Sequence, residues 1–600
     1  MNLATFFLIW SAVFLVPIPP TKTHLRFLPR LITFLLGLFL FLIFAAALTP
    51  LSLFVFWLVY IRLFFALLEY AFQLGRRKEV EEKGERFQYG RFGPRPRIGI
   101  STRIRPKVIA ALFIVFLLSV FVGIAFTQVQ RVSNAYYFKS FIQRKSGFPF
   151  NSSIPDGQVR LVTQELATSV ARRHMSEFGS NVKVIDTHVT KTLDDKLVWL
   201  AVIGSTNVLA ENYVKGFIII DAADPVALPE IVNKEFLVGD GLWWDRNIIF
   251  RSYLDDMTYS YGIAYPTWSP EINDLVYVVA RYHVGFDLVR RYAGLIVYDS
   301  EGKVIESQME LQALPDWATQ VYDEDWLEHM INEWGALRRG ESFDYWAGGF
   351  LWIIPPSRDR IEMSEDTRYI VDPETGDIVA MVMVNPVASQ RTLAGVFKAT
   401  KEGVFFYGYQ QEKYISGIPA KDIVEGKLPK PAAGVYDAEM PLLYPVEISE
   451  GTFRLAWYVP IYWREGTRTP DETIYLAGFA VIDALDINAV TINIAGGGLS
   501  SEQIVRSTRF DFLRLFGAVT SVRLDTTVED KQEYVRDGLT HVVLRVANST
   551  YPWIEASADD LSSQQWYELL STKKDDAVIA DIERRGEIWA IVSFDNLDIP

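Results

Sequence analysis

Nineteen consecutive residues, 108–126, read VIAALFIVFLLSVFVGIAF and carry no charge. As a helix, a run of this length comes close to the thickness of a bilayer's hydrocarbon core. Three further apolar runs precede it: Leu3–Ile18, Leu31–Leu48 and Leu51–Leu74. Pro17, Pro19 and Pro20 end the first run. It lacks a basic n-region and an A-x-A site, so it reads as retained and not as a cleaved leader. Basic loops alternate with the runs. The stretch Lys22–Arg30 is basic, and 76–107 holds 11 Lys+Arg against 4 Glu. Four spans with a turn at Thr49 and Pro50 place both loops on the cytoplasmic side, as the positive-inside rule asks. The expectation is a membrane-anchored α+β protein. Four transmembrane helices occupy 1–126 among membrane lipid, with 76–107 as a cytoplasmic loop and 127–600 extracytoplasmic. Arg62 and Glu69, seven residues apart in the third run, share a helical face and read as packing and interface charges.

Charge separates the two parts of the chain. Residues 1–126 hold 15 Lys+Arg and 5 Asp+Glu, and the remainder holds 44 and 68. So acidic a region repels phosphates, which argues against nucleic acid as a partner. Cysteine is absent, which excludes disulfides, zinc–thiolate and iron–sulfur centres and thiol nucleophiles. There is no G-x-S-x-G elbow and no Walker loop, and the six histidines are scattered. Ser571 and Lys574 match S-x-x-K only at chance spacing. No cofactor is implied.

Past a polar, aromatic juxtamembrane tether at 127–155, strand patterns dominate. KLVWLAVIG, DLVYVVARY and RLAWYVPIY begin at Lys196, Asp274 and Arg454. Each leads to a second strand ending in aspartate: KGFIIIDAADP, AGLIVYDSEGK and AGFAVIDALDI. Trp199 lies 17 residues before Gly216 and 22 before Asp221, and Tyr277 repeats both distances to Gly294 and Asp299. In the third copy Trp457 lies 21 residues before Gly478 and 26 before Asp483, a loop four residues longer. RYIVDPETGDIVAMVMV, followed by LAGVFKATKEGVFFY, is a looser fourth relative. Val162, Leu166, Val170 and Met175 give helical spacing ahead of the first copy.

Helix, antiparallel strands and an Asp-led turn, in that order, resemble the PepSY domain, a small extracytoplasmic helix-and-sheet module. The resemblance covers Asp156–Val232 best and Tyr259–Val304 less closely, and implies a binding or regulatory module. Tandem units are expected over 156–310, and further α+β units, including the third copy, over 311–495. Gly496–Gly498 reads as a hinge. Beyond it, strand patterns around one helix in SADDLSSQQWYELLSTK, with Ser557 as its N-cap, resemble an OB-fold. A C-terminal small β-barrel is therefore expected over 496–600.

Within the fourth relative, Asp372, Glu374 and Asp377 crowd around Gly376. A calcium loop of EF type needs alternating oxygen ligands and a bidentate Glu at position twelve. That position, counted from Asp372, is Met383. Asp-Pro-x-x-Gly also reverses a chain between strands. The turn is the favoured reading, and these three carboxylates are the calcium candidates if a metal binds. VYDEDWLEHMINEWGALRRG carries Asp323, Glu324, Asp325, Glu328, His329 and Glu333 without an HExxH pattern, and reads as a solvated helix face. Arg358, Arg360, Glu362, Asp366 and Arg368 read as an ion-pair cluster. Asn151 and Asn548 are N-x-[ST] glycosylation candidates.

The function expected from these features is non-enzymatic: an integral membrane protein whose large outer region binds or scaffolds in an envelope or virion-like assembly. Its partners would be other envelope or assembly proteins, and a homo-oligomer is one form of this. The alternatives are a regulator of an envelope enzyme, such as a protease inhibitor or folding factor, and a carboxylate-dependent hydrolase. Sixteen Trp and 28 Tyr suit aromatic-anchored interfaces.

Overall fold

Residues that read as uninterrupted apolar runs become strands buried on both faces. In the strand Leu197–Ser205 every residue is buried. The computed structural model describes residues 127–600 apart from 208–209, 286, 309–313, 315–316, 340–341, 349–354, 410–412, 432, 450, 466–473, 495–499, 518–521, 537–538, 548, 550, 559, 586–587 and 600. Helix α1 over 127–141 leads into β1 (Ile142–Lys145). Four helix-and-sheet units follow.

The first unit has α2 (Gln164–His174) and strands β2 (Val182–Lys191), β3 (Leu197–Ser205), β4 (Val214–Asp221) and β5 (Glu230–Val232). The second has α3 (Ile248–Asp255), β6 (Tyr259–Ser269), β7 (Asp274–Val284), β8 (Arg290–Tyr298) and β9 (Val304–Gln308). Both sheets are antiparallel meanders in sequence order. In the third unit come α4 (Glu324–Ala336), a hairpin of β10 (Arg338–Arg339) and β11 (Ser342–Phe343), and then β12 (Ile361–Met363), β13 (Arg368–Val371), β14 (Ile378–Pro386), β15 (Gly395–Thr400) and β16 (Gly403–Gly408). Strand β1 joins this sheet parallel to β16. The fourth unit contains α5 (Gly417–Lys427), β17 (Val435–Ala438), β18 (Leu442–Ser449), β19 (Thr452–Arg464), β20 (Ile474–Asp483) and β21 (Val490–Ile494). Helix α6 (Ser501–Leu515) packs on β20 and β21. A closed barrel ends the chain, in the order β22 (Val522–Arg536), β23 (Leu539–Val546), β24 (Trp553–Ser557), β26 (Ile588–Asn596), β25 (Ala577–Arg585). Helix α7 (Ser563–Ser571) lies between β24 and β25 in sequence and packs on β26.

The four sheets share one register. Trp199 faces Ile220, Tyr277 faces Tyr298, Ala380 faces Ala399 and Trp457 faces Ile482. The next residues are Asp221, Asp299, Thr400 and Asp483, and five residues before each stands Gly216, Gly294, Gly395 or Gly478. A Cβ on Gly216, Gly395 or Gly478 would lie 2.6, 2.5 or 2.3 Å from a carbonyl oxygen of the following strand, at Val232, Tyr407 or Asn493. Backbone approach keeps glycine at these three positions, and at Gly294 a φ of +99° does.

Alternate residues of β3, β7 and β14 enter different cores. Trp199 and Ala201 belong to a core shared by α1 and the first three units, while Leu200 and Val202 face a core between the first and second sheets. On β14, Ala380 and Val382 face the shared core, and Val379 and Met381 face the fourth unit. Double-sided burial explains why these strands read as runs and not as alternating patterns.

Two expectations are corrected. Among the described residues no helix is long and apolar enough to cross a membrane. Helix α6 runs 15 residues, short of the roughly 20 that a span needs. Helix α6 also carries Glu502, Arg506, Arg509, Asp511 and Arg514. The described fold is β-rich with seven helices and a five-stranded barrel, not four transmembrane helices ahead of α+β domains. The apolar runs, the 76–107 loop, Arg62 and Glu69 lie outside the described residues. The integral-membrane localisation and the extracytoplasmic side assigned to 127–600 rested on those spans alone, and both are withdrawn with them. In the barrel, α7 is capped by Ser562 in a capping box with Gln565. Ser557 instead ends β24, and its N–H and hydroxyl donate to Asp560 at 2.8 and 2.6 Å.

Candidate functional site

Hairpin ends of the first three units meet around a cleft of about 500 Å³. The β2–β3 turn brings Lys191 and Asp195, the β6–β7 turn brings Trp268, and the β13–β14 turn brings the Asp372–Asp377 knot. Trp317, Tyr322 and Phe405 complete an aromatic lining.

The knot is built as Asp-Pro-x-x-Gly chemistry dictates. Asp372 accepts the Glu374 N–H at 2.9 Å on its carboxylate and the Gly376 N–H at 2.8 Å on its carbonyl. Gly376 takes φ +73°, the left-handed conformation that such a reversal needs. Its three carboxylates then part company. Asp372 is buried and pairs with Lys398 Nζ at 2.6 Å. Glu374 accepts the backbone N–H of Asn151, and Asp377 faces Lys401 at 3.7 Å. Among the described residues no three acidic or histidine side chains are grouped to hold a metal. Asn151 is exposed, and Asn548 lies outside the described residues.

Tyr322 and Tyr369 separate the cleft from a second cavity of about 220 Å³, because both residues line both spaces. Arg160, His188, Asp323, Glu324, Asp366 and Arg368 line this second space. Arg160 is 4% exposed. One guanidinium N–H donates to the Tyr369 carbonyl at 2.6 Å, and the group stacks 4.7 Å from the Trp199 ring. Burial, and then the neighbouring Arg368, push its pKa down to about 9. Burial lowers the pKa of His188 as well.

The acidic helix is not one solvated face. Asp323 caps α4 by accepting the Trp326 N–H at 3.0 Å and also accepts the Ile263 N–H at 2.7 Å. Glu328 accepts from the Thr367 N–H and hydroxyl at 3.3 and 3.2 Å. His329 meets Asn134, and Glu333 pairs with Arg131 at 2.9 Å. Asp325 is exposed. Arg368 pairs with Glu365 at 3.3 Å. Arg160 was not singled out in the sequence, although a lone arginine between Val159, Leu161 and Val162 marks a charge forced into a core.

Burial, followed by repulsion from Glu328, Asp366, Asp325 and Asp323, pushes Glu324 up to about 7. A carboxyl raised on folding favours the fold while protonated and opposes it once ionised. That contribution is lost as pH rises from the unfolded value through about 7. After allowance for the half-exposed side chain it is worth roughly 1–2 kcal/mol. Glu324→Gln should therefore raise the melting temperature relative to the wild type at pH 8 and leave it nearly unchanged near pH 4. Thermal melts of both proteins across that range check this, and an identical difference at the two ends would reject the assignment.

No family model matches the chain, and no curated protein matches it. Among solved structures, a crystal structure of a mutant levansucrase from B. megaterium is similar at 9% identity, over 75% of this chain and 98% of that one, with a TM-score of 0.17. So low a score transfers neither fold nor activity.

Proposed function

We propose that residues 127–600 form a non-catalytic binding and scaffolding region whose cleft receives a segment of a protein partner. One observation carries this reading. Trp317 Nε1 and Tyr322 Oη are buried donors at the cleft with no hydrogen-bond partner among the described residues. Buried donors are normally satisfied, and a peptide's carbonyls would satisfy both once the two side chains turn toward the cleft. The lining around them is aromatic, which suits apolar side chains, and Asp372, Glu374 and Asp377 are already committed elsewhere. Four repeats of helix and meander support the likeness to PepSY modules, and with it the regulatory form of the same reading. The barrel order, with its helix between the third and fourth strands, supports the likeness to an OB-fold.

Peptides selected from a displayed library on the full chain provide the test. Bound peptide should protect 191–195, 268–270 and 372–378 from hydrogen exchange. Trp317→Phe with Tyr322→Phe, which removes both donors and keeps an aromatic ring at each position, should weaken binding about tenfold, the loss of one or two hydrogen bonds. Selected peptides that bind equally well to this double variant, or that protect other segments, would overturn the assignment.

A further inference from the structure

We propose that the second cavity binds a small zwitterion of α-amino-acid size, with its carboxylate on Arg160 and its ammonium on Glu324 and Asp366.

The deep end carries the first observation. Arg160 has no carboxylate within ion-pair distance among the described residues, and its Nε has no hydrogen-bond partner. Burying a charge without a counter-ion is costly, yet the fold holds this guanidinium in place with the Tyr369 carbonyl and the Trp199 face. A planar guanidinium fixed in this way is preorganised for a carboxylate, which it can grip with two parallel N–H donors.

The open end carries the second. Asp366 is exposed and Glu324 half-buried, and neither has a hydrogen bond or ion pair among the described residues. The other charges are spent. Asp323 caps α4, Arg368 pairs with Glu365, and Asp186 accepts the Thr187 N–H at 2.7 Å. One cation and two carboxylates are left over. A simple anion would neutralise Arg160 but meet Glu324 and Asp366, and a simple cation would meet Arg160. A molecule carrying both charges satisfies both ends. A cavity of about 220 Å³ has room for a molecule of amino-acid size.

This site is separate from the peptide cleft, and its test reads a different ligand. Calorimetric titration of the full chain with each of the common α-amino acids is compared with propionate and propylamine. At least one amino acid should bind, with both single-charge analogues about tenfold weaker or worse. Glu324→Gln should fold, because it deletes a charge without deleting a bond, and should lose about tenfold in amino-acid affinity while propionate binding holds or improves. Arg160→Lys should keep the charge, lose the fork and weaken every carboxylate-bearing probe. Absence of binding by every amino acid, equal binding of the analogues, or an unchanged affinity in Glu324→Gln would each overturn the proposal.

Discussion

Trp326→Ala should destabilise the protein by about 3–5 kcal/mol, the range for emptying a packed aromatic site. Trp326 is fully buried at the start of α4. Its indole meets the rings of Phe138 and Phe141 from α1, Tyr282 and Tyr292 from the second sheet, and Tyr322 ahead of its own helix, all with centroids within 6.4 Å. The indole N–H donates to the Arg290 carbonyl at 2.8 Å. Alanine would leave a void among five rings that cannot collapse together and would strand that carbonyl. Because the rings come from three parts of the chain, the damage should not stay local. Hydrogen exchange should quicken together in 127–141, 259–298 and 324–336. A loss confined to α4, or a destabilisation below about 1 kcal/mol, would show that Trp326 does not join these elements.

That cluster illustrates how unevenly the fold was legible in the sequence. The central strands were visible because β3, β7 and β19 lie between two layers and cannot afford polar residues on either face. The fourth copy looked loose because Ala380 stands where Trp199, Tyr277 and Trp457 stand, and Thr400 where the aspartates stand. Gly395 kept the register all the same, since the carbonyl of Tyr407 leaves no room for a side chain there. Helix α6 is hard to read because Arg506 and Arg509 interrupt the apolar set Ile504, Val505 and Phe512, although those three are buried. The cap of α7 was misplaced because Ser557-x-x-Asp560 and Ser562-x-x-Gln565 are equally good local signals. Pairing of Ser557 with His541 in the barrel takes the first out of play.

The site divides in the same way. A turn such as Asp372–Asp377 is local chemistry, and six residues suffice to read it. The second cavity joins Arg160 to Glu324 and Asp366 across more than 150 residues. No periodicity or spacing encodes that meeting. It follows from the packing of three sheets around one core, and the only local trace of it is an arginine with apolar neighbours.

Lys398→Met should cost about 3–5 kcal/mol, as expected when one member of a buried ion pair is removed. Lys398 and Asp372 are 8% and 3% exposed. The ammonium also donates to the Pro149 carbonyl at 3.1 Å and lies 4.5 Å over the Phe150 ring. Methionine replaces most of the aliphatic stem, so the loss reports charge more than volume. The remaining carboxylate cannot turn outward to water, because the Glu374 N–H holds it in the turn. Adding Asp372→Asn keeps an acceptor for that N–H and removes the stranded charge. The double variant should therefore recover most of the stability, giving a coupling energy of at least about 2 kcal/mol in the cycle. Urea denaturation of the two single variants and the double variant measures it. The same pair ties 149–151 to the cleft through Pro149 and through the bond from Asn151 to Glu374, so Lys398→Met should also speed hydrogen exchange at Asn151. Strictly additive variants, or a double variant worse than Lys398→Met alone, would mean that the carboxylate is hydrated after all and that the turn does not depend on its lysine.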